Sequence, residues 1–162
     1  MPSSASGRVE AVLYSEEERQ RRDASPWTIV QGVLAPLQFL VFIVSTILVW
    51  RFFATGDGAT IASASVVLKT ALLYAIMITG SIWERDVFGQ YLFAGPFFWE
   101  DVVSMLVMAL HTAYLVCFFG GFLSVSDQLV LALVAYFAYV VNAAQFLIKF
   151  RMARVTAAES SA

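Results

Sequence analysis

The densest chemistry in the chain lies between Trp83 and Asp101. Glu84, Arg85 and Asp86 follow Trp83 directly, and Glu100 and Asp101 follow Trp99. Phe88, Tyr91, Phe93, Phe97 and Phe98 lie between these two charged groups. Carboxylates beside a low-dielectric aromatic wall hold their protons more tightly than in water, which suits a general acid at neutral pH. Gly89, Gly95 and Pro96 make the stretch a structured, partly re-entrant turn. The plain alternative stays open: ordinary interfacial charges in an aromatic belt.

Lys69 and His111 stand alone in apolar sequence. An ionisable side chain inside bilayer hydrocarbon is expensive, so each marks a candidate site. Gln38 and Tyr114 reach similar depth and complete a polar patch near mid-membrane. Glu100 and His111 are eleven positions apart, almost three helical turns, so they share a face with Ser104 and Val107. Asn142, Gln145 and Lys149 form a matching stripe, and so do Thr70, Tyr74, Met77, Ser81 and Glu84. Each residue also has a structural reading. Lys69 can extend to the outer interface, and His111, Asn142 and Gln145 can serve as helix-packing hydrogen bonds.

The elements that position these residues follow from charge and hydropathy. Of 162 residues, 60% are hydrophobic and 14% charged, with a mean hydropathy of +0.76. Soluble domains are typically about half apolar and about a quarter charged. Disorder needs the opposite composition. A net charge of -2 without a basic run excludes a nucleic-acid partner. The lone Cys117 rules out an internal disulfide and any Cys-built metal site. The charges cluster at Arg8–Asp23, Glu84–Asp101 and Lys149–Glu159. Four apolar runs are left: Ile29–Trp50, Ile61–Trp83, Val102–Leu123 and Leu129–Ile148. About 20 helical residues cross a bilayer core of roughly 30 Å, and only helices satisfy their backbone within such a span.

The expected fold is therefore all-α: a polytopic membrane protein with four transmembrane helices in one bundle. Residues 1–28 form a polar tail, without the apolar segment of a signal peptide. Within it, Ser15 and Glu18 make a capping box for a short helix. Residues 149–162 are expected to be a basic, flexible tail. Arg8, Arg19, Arg21, Arg22, Arg85, Lys149, Arg151 and Arg154 fall on one side against Arg51 on the other, which puts both termini in the cytoplasm.

Several stretches resemble the vinyl hydratases of bacteriochlorophyll biosynthesis. They are Arg22-Asp23-Ala24-Ser25-Pro26-Trp27-Thr28, then Val30-Gln31-Gly32 and Leu34-Ala35-Pro36-Leu37-Gln38-Phe39. They continue with Trp83-Glu84-Arg85-Asp86-Val87-Phe88-Gly89-Gln90-Tyr91-Leu92-Phe93-Ala94 and Phe98-Trp99-Glu100-Asp101. The last are Leu110-His111-Thr112-Ala113-Tyr114 and Tyr139-Val140-Val141-Asn142-Ala143-Ala144-Gln145-Phe146. Together they cover roughly residues 14 to 154.

The resemblance implies a hydro-lyase that adds water to the ring-A vinyl group of chlorophyllide a or its bacteriochlorin relative, giving a 1-hydroxyethyl group. It implies a multi-pass protein of the bacterial inner, photosynthetic membrane, surrounded by lipid and beside other enzymes of the same pathway. No cofactor is expected. Markovnikov hydration needs a proton at the terminal vinyl carbon. Glu84, Glu100 and Asp101 are candidates for the acid or the water-positioning base. His111 is a candidate for that acid or for the axial ligand of the substrate's magnesium. The protein itself is expected to hold no metal. Lys69 or Arg85 could pair with the substrate carboxylate, and Gln38, Tyr114, Trp83, Trp99 and Asn142 could line the slot. Two rival classes remain: a tetrapyrrole carrier or assembly factor without chemistry, and a small transporter. With one histidine, a bis-histidine haem is excluded.

Overall fold

A computed structural model describes residues 13–159. Five α-helices follow in order: α1 (Glu16–Ala24), α2 (Pro26–Thr55), α3 (Ala59–Phe88), α4 (Phe98–Gly120) and α5 (Val125–Glu159), with one 3₁₀ turn at Gly95–Phe97. The first twelve residues of the N-terminal tail lie outside the described residues.

The capping box of α1 forms. Glu18 N donates to Ser15 Oγ at 3.2 Å and Ser15 N donates to Glu18 Oε2 at 2.7 Å. Three glutamates in the first turn and two arginines in the last suit the helix dipole. Losing such a cap costs about 1 kcal/mol. Ser15→Ala should therefore speed amide hydrogen exchange across Glu16–Ala24 by about fivefold while leaving the long helices unchanged.

The long helices run past three of the four apolar segments. Their polar end turns stay helical because water and neighbouring side chains can satisfy them. Glu84–Phe88 thus belongs to α3, and Phe98–Asp101 to α4. The turn expected across 84–101 shrinks to residues 89–97. Gly89, at φ 84°, ends α3 in the left-handed region that glycine adopts freely. α4 stops short of residue 123 because Gly121 takes φ 67° and Phe122 N turns back to Cys117 O at 2.9 Å. α5 does not stop at 148. It continues through Lys149 to Glu159, so most of the expected tail is helical.

All four long helices are long and apolar enough to cross a membrane. Their outward faces carry Ile29, Leu40, Ile47, Phe119, Phe137 and Leu147, each more than half exposed. Such continuous apolar cover suits lipid, not water. The polar residues turn inward. The packing is uneven: α2 lies closely along α3 and α4 along α5, while the two antiparallel hairpins touch each other far less. The seam between the hairpins is filled by side chains: Val49, Ala62 and Val66 pack on Tyr114, Leu129, Ala132 and Tyr136, and Leu73 packs on Val107 and Tyr139. The one covalent link between the hairpins is the 89–97 turn, at the end that also carries α1 and the last turns of α5. Tyr14, Val87 and Phe97 form a small core there. Burial pushes the Tyr14 hydroxyl up to about 12, partly offset by the Arg22 guanidinium over its ring.

Candidate functional site

The inward stripes meet along this seam. At the loop end, Glu84 from α3 and Asp101 from α4 are both buried, and their carboxyls lie within hydrogen-bonding reach of each other. Two carboxyl groups this close need a proton between them, because like charges at such range cannot both ionise cheaply. The turn fixes both. Phe93 N donates to Asp101 Oδ2 at 2.7 Å and Ala94 N donates to Glu84 Oε2 at 3.3 Å. Phe93 takes φ 60° to present its amide, a conformation that costs a non-glycine residue about 1–2 kcal/mol.

Glu100 points elsewhere. Its carboxylate accepts from Lys149 Nζ of α5 at 2.7 Å, and Lys149 also donates to the Pro96 carbonyl. Asn142 Nδ2 donates to Glu100 O at 2.9 Å, and Ser104 Oγ donates to Asn142 Oδ1 at 3.0 Å. Asn142 and Lys149 therefore clamp α5 onto the start of α4. Arg85 is exposed at the loop end, donating to the Tyr91 hydroxyl at 2.6 Å. Trp83 donates to Thr28 Oγ1 at 2.9 Å and packs edge-on against Phe88 and Phe97. Trp99 is 68% exposed, so it faces away from the seam rather than lining it.

A second polar level lies deeper. Lys69 and His111 have no exposed surface and lie within electrostatic reach across the seam. Lys69 Nζ sits 3.6 Å over the Tyr139 ring and has no hydrogen-bond partner; neither has His111 Nε2, Gln38 Oε1 or Gln145 Oε1. The neighbouring hydroxyls are engaged elsewhere: Tyr136 OH with Ser45 Oγ at 2.5 Å, and Tyr114 OH with Ser63 O at 3.3 Å. Buried polar atoms without partners are rare in native proteins, and here all four helices contribute one. Fifteen positions along α3 separate Lys69 from Glu84, about 22 Å of helical rise.

The structure thus joins Glu84 to Asp101 and Glu100 to Asn142, and places Lys69 over Tyr139 and His111 against Tyr136. Gln38 and Tyr114 are buried along the same seam. Sequence reasoning missed the clamp by Lys149, the Tyr136 and Tyr139 walls, and the Phe93 and Ala94 amides. Lys149 was visible as the third member of its stripe. The backbone amides leave no mark in the sequence. No group of three or more His, Cys, Asp or Glu side chains suits a metal ion among the described residues.

Fold and site define a class: an all-helical, membrane-compatible four-span bundle with a polar seam and a carboxyl pair at one end. Residues 14–152 match the family model described as 2-vinyl bacteriochlorophyllide hydratase. A relative of that name from Rhodobacter capsulatus is 57% identical over 162 residues, covering 100% of this chain and 94% of the relative. Another, from Cereibacter sphaeroides, is 61% identical over 143 residues, covering 88% and 89%. The chain belongs to the 2-vinyl bacteriochlorophyllide hydratase family. No solved structure matches it.

Proposed function

We propose that this chain hydrates the ring-A vinyl group of a magnesium chlorin, chlorophyllide a or its 3-vinyl bacteriochlorin relative. The observation that carries the activity is the match to hydratases along nearly its whole length. Both termini and the 89–97 turn lie in the cytoplasm of a phototrophic bacterium, with the helices in its inner membrane. The excess of Lys and Arg at that end supports this orientation.

The Glu84–Asp101 pair is the acid. It gives its shared proton to the terminal vinyl carbon, where the π electrons form the new C–H bond. The cation left on the inner carbon is delocalised into the macrocycle. Water adds there, forming the C–O bond, and its surplus proton returns to the carboxylate pair. The sum is one water added, with no electron gained or lost. Arg85, exposed at the same end of the bundle as the carboxyl pair, pairs with the substrate carboxylate at the aqueous surface. Trp99 anchors the helix end at headgroup level.

Membranes containing the expressed chain should convert chlorophyllide a to a product heavier by one water, with its long-wavelength absorption band moved to the blue. Chromatography with mass detection reads both. Unchanged pigment that co-purifies with the chain would make it a carrier instead. Solute flux in proteoliposomes without any pigment effect would make it a transporter.

A further inference from the structure

Packed side chains close the interior of the bundle, so a macrocycle meets this chain at its surface. The surface nearest the carboxyl pair is aromatic. Tyr91 is 52% exposed, Phe93 39% and Phe98 43%. The Phe93 and Phe98 rings lie 5.8 Å apart. The same turn sends Phe97 inward instead, where it is buried against Trp83, Phe88 and Phe146.

Phe93 ties this surface to the acid. Its amide donates to Asp101 Oδ2 at 2.7 Å, and its φ is 60°. A bulky side chain in the left-handed region is an outlier, and such strain is held mainly where a site uses it. Gly89 takes φ 84° in the same turn. A glycine at 93 would supply the same amide without the strain. The residue kept there carries a ring, and that ring faces outward. Membrane anchoring does not account for it, because an unstrained position on the belt would hold a ring at headgroup level equally well. Among the described residues the other non-glycine with positive φ is Leu123, at the opposite end of the bundle.

We propose that the outward face of the 89–97 turn, with Phe93 and Phe98 as its rings and Arg85 and Tyr91 at its edge, is the docking surface on which the magnesium chlorin stacks. The assignment rests on the hydratase reading and names where that substrate lies. A flat π system suits exposed rings, and its one carboxylate suits Arg85. Tyr91 is a positioning residue: its hydroxyl accepts from Arg85 at 2.6 Å, and the guanidinium lies 4.9 Å from its ring centroid. Surface and acid are contiguous. Asp101 lies three positions past Phe98 on α4, on a neighbouring line of that helix, and Glu84 directly precedes Arg85. Glu84 and Asp101 keep only 6% and 3% exposure. A macrocycle cannot lie against them, but a small substituent on its rim can touch them, and the vinyl group is such a substituent.

The test uses the full chain in phospholipid nanodiscs, titrated with chlorophyllide a and with its methyl ester, with binding to empty nanodiscs subtracted. Phe93→Leu and Phe98→Leu keep apolar bulk and remove the π face. Each should weaken binding of both pigments about two- to tenfold, the worth of one aromatic contact. Arg85→Gln should weaken chlorophyllide a and leave the ester unchanged. With wild-type chain in excess, lipid nitroxides near the headgroup should quench bound pigment more than nitroxides at the acyl end. Because either leucine variant could fail to fold, this wild-type comparison stands by itself. Unchanged affinity in both leucine variants, the result for rings that only anchor the chain in lipid, overturns the surface. So does stronger quenching from the acyl end. Neither touches the hydratase reading, which product formation by the wild-type chain reports in the same samples. A wild-type chain that neither binds nor hydrates the pigment overturns both.

Discussion

Glu84→Gln should lower kcat by about 10²- to 10⁴-fold, the usual worth of a positioned general acid, with pigment affinity little changed. Glutamine keeps the length of Glu84 and can still accept from the Ala94 amide, which lies 3.3 Å away. It can also donate to Asp101, so the geometry of the turn is retained. What it removes is the transferable proton. Asp101→Asn should cost a similar factor, because the proton belongs to the pair and not to either member. The double variant should be little worse than either single one, since groups that act as a unit lose their effect once. In the wild-type chain, kcat should fall as pH rises and the shared proton is lost. Single-turnover hydration across a pH series, with pigment binding followed separately, checks all of this. Full turnover by Glu84→Gln with normal binding would exclude the acid role and move attention to His111.

Much of this site was legible because helical periodicity is strict. Glu100, Ser104, Val107 and His111 were placed on one face by spacing, and all four are buried together. Counting inward from opposite ends puts Lys69 and His111 at one depth, and both are fully buried within electrostatic reach of each other. Spacing along one helix does not say which helices pair closely, so the division into two hairpins and the seam between them were not legible. That depends on side-chain volume across each interface. Glu84 and Asp101 were both candidates, but their pairing depends on how residues 89–97 fold back, which the positive φ of Phe93 decides. Trp99 shows the opposite failure. It neighbours Glu100 in sequence, yet adjacent positions on a helix point roughly 100° apart, so one is buried while the other faces outward.

The seam also inverts the usual placement of polarity. Its orphaned atoms, on Gln38, Lys69, His111 and Gln145, come from all four long helices. A sequence under selection only for bundle stability would replace them with apolar residues, because each unpaired buried polar group costs about 1–3 kcal/mol.

The clamp between Glu100 and Lys149, inside the α4–α5 hairpin, gives the second large expected effect. Lys149→Met should destabilise the chain by about 2–3 kcal/mol. Removing one partner of a fully buried pair costs about 3–5 kcal/mol, whereas a surface pair is worth about 1 kcal/mol or less. Glu100 has 7% of its side chain exposed and Lys149 has 29%, which sets the pair between these cases, nearer the buried one. The substitution leaves the Glu100 carboxylate without its cation and frees the Pro96 carbonyl. Glu100→Gln combined with Lys149→Met should recover more than about 1 kcal/mol relative to the sum of the single changes, the mark of a direct interaction. Thermal unfolding in detergent, followed by tryptophan fluorescence, measures the cycle. Lys149 also ties down the turn that presents the Phe93 and Ala94 amides to the carboxyl pair. Lys149→Met should therefore speed hydrogen exchange at residues 93–97 and lower kcat without changing the product. If stability falls by less than about 1 kcal/mol and exchange in the turn is unchanged, the clamp is only a surface ion pair. The turn would then be held by Asp101, Glu84 and the Phe97 ring cluster alone.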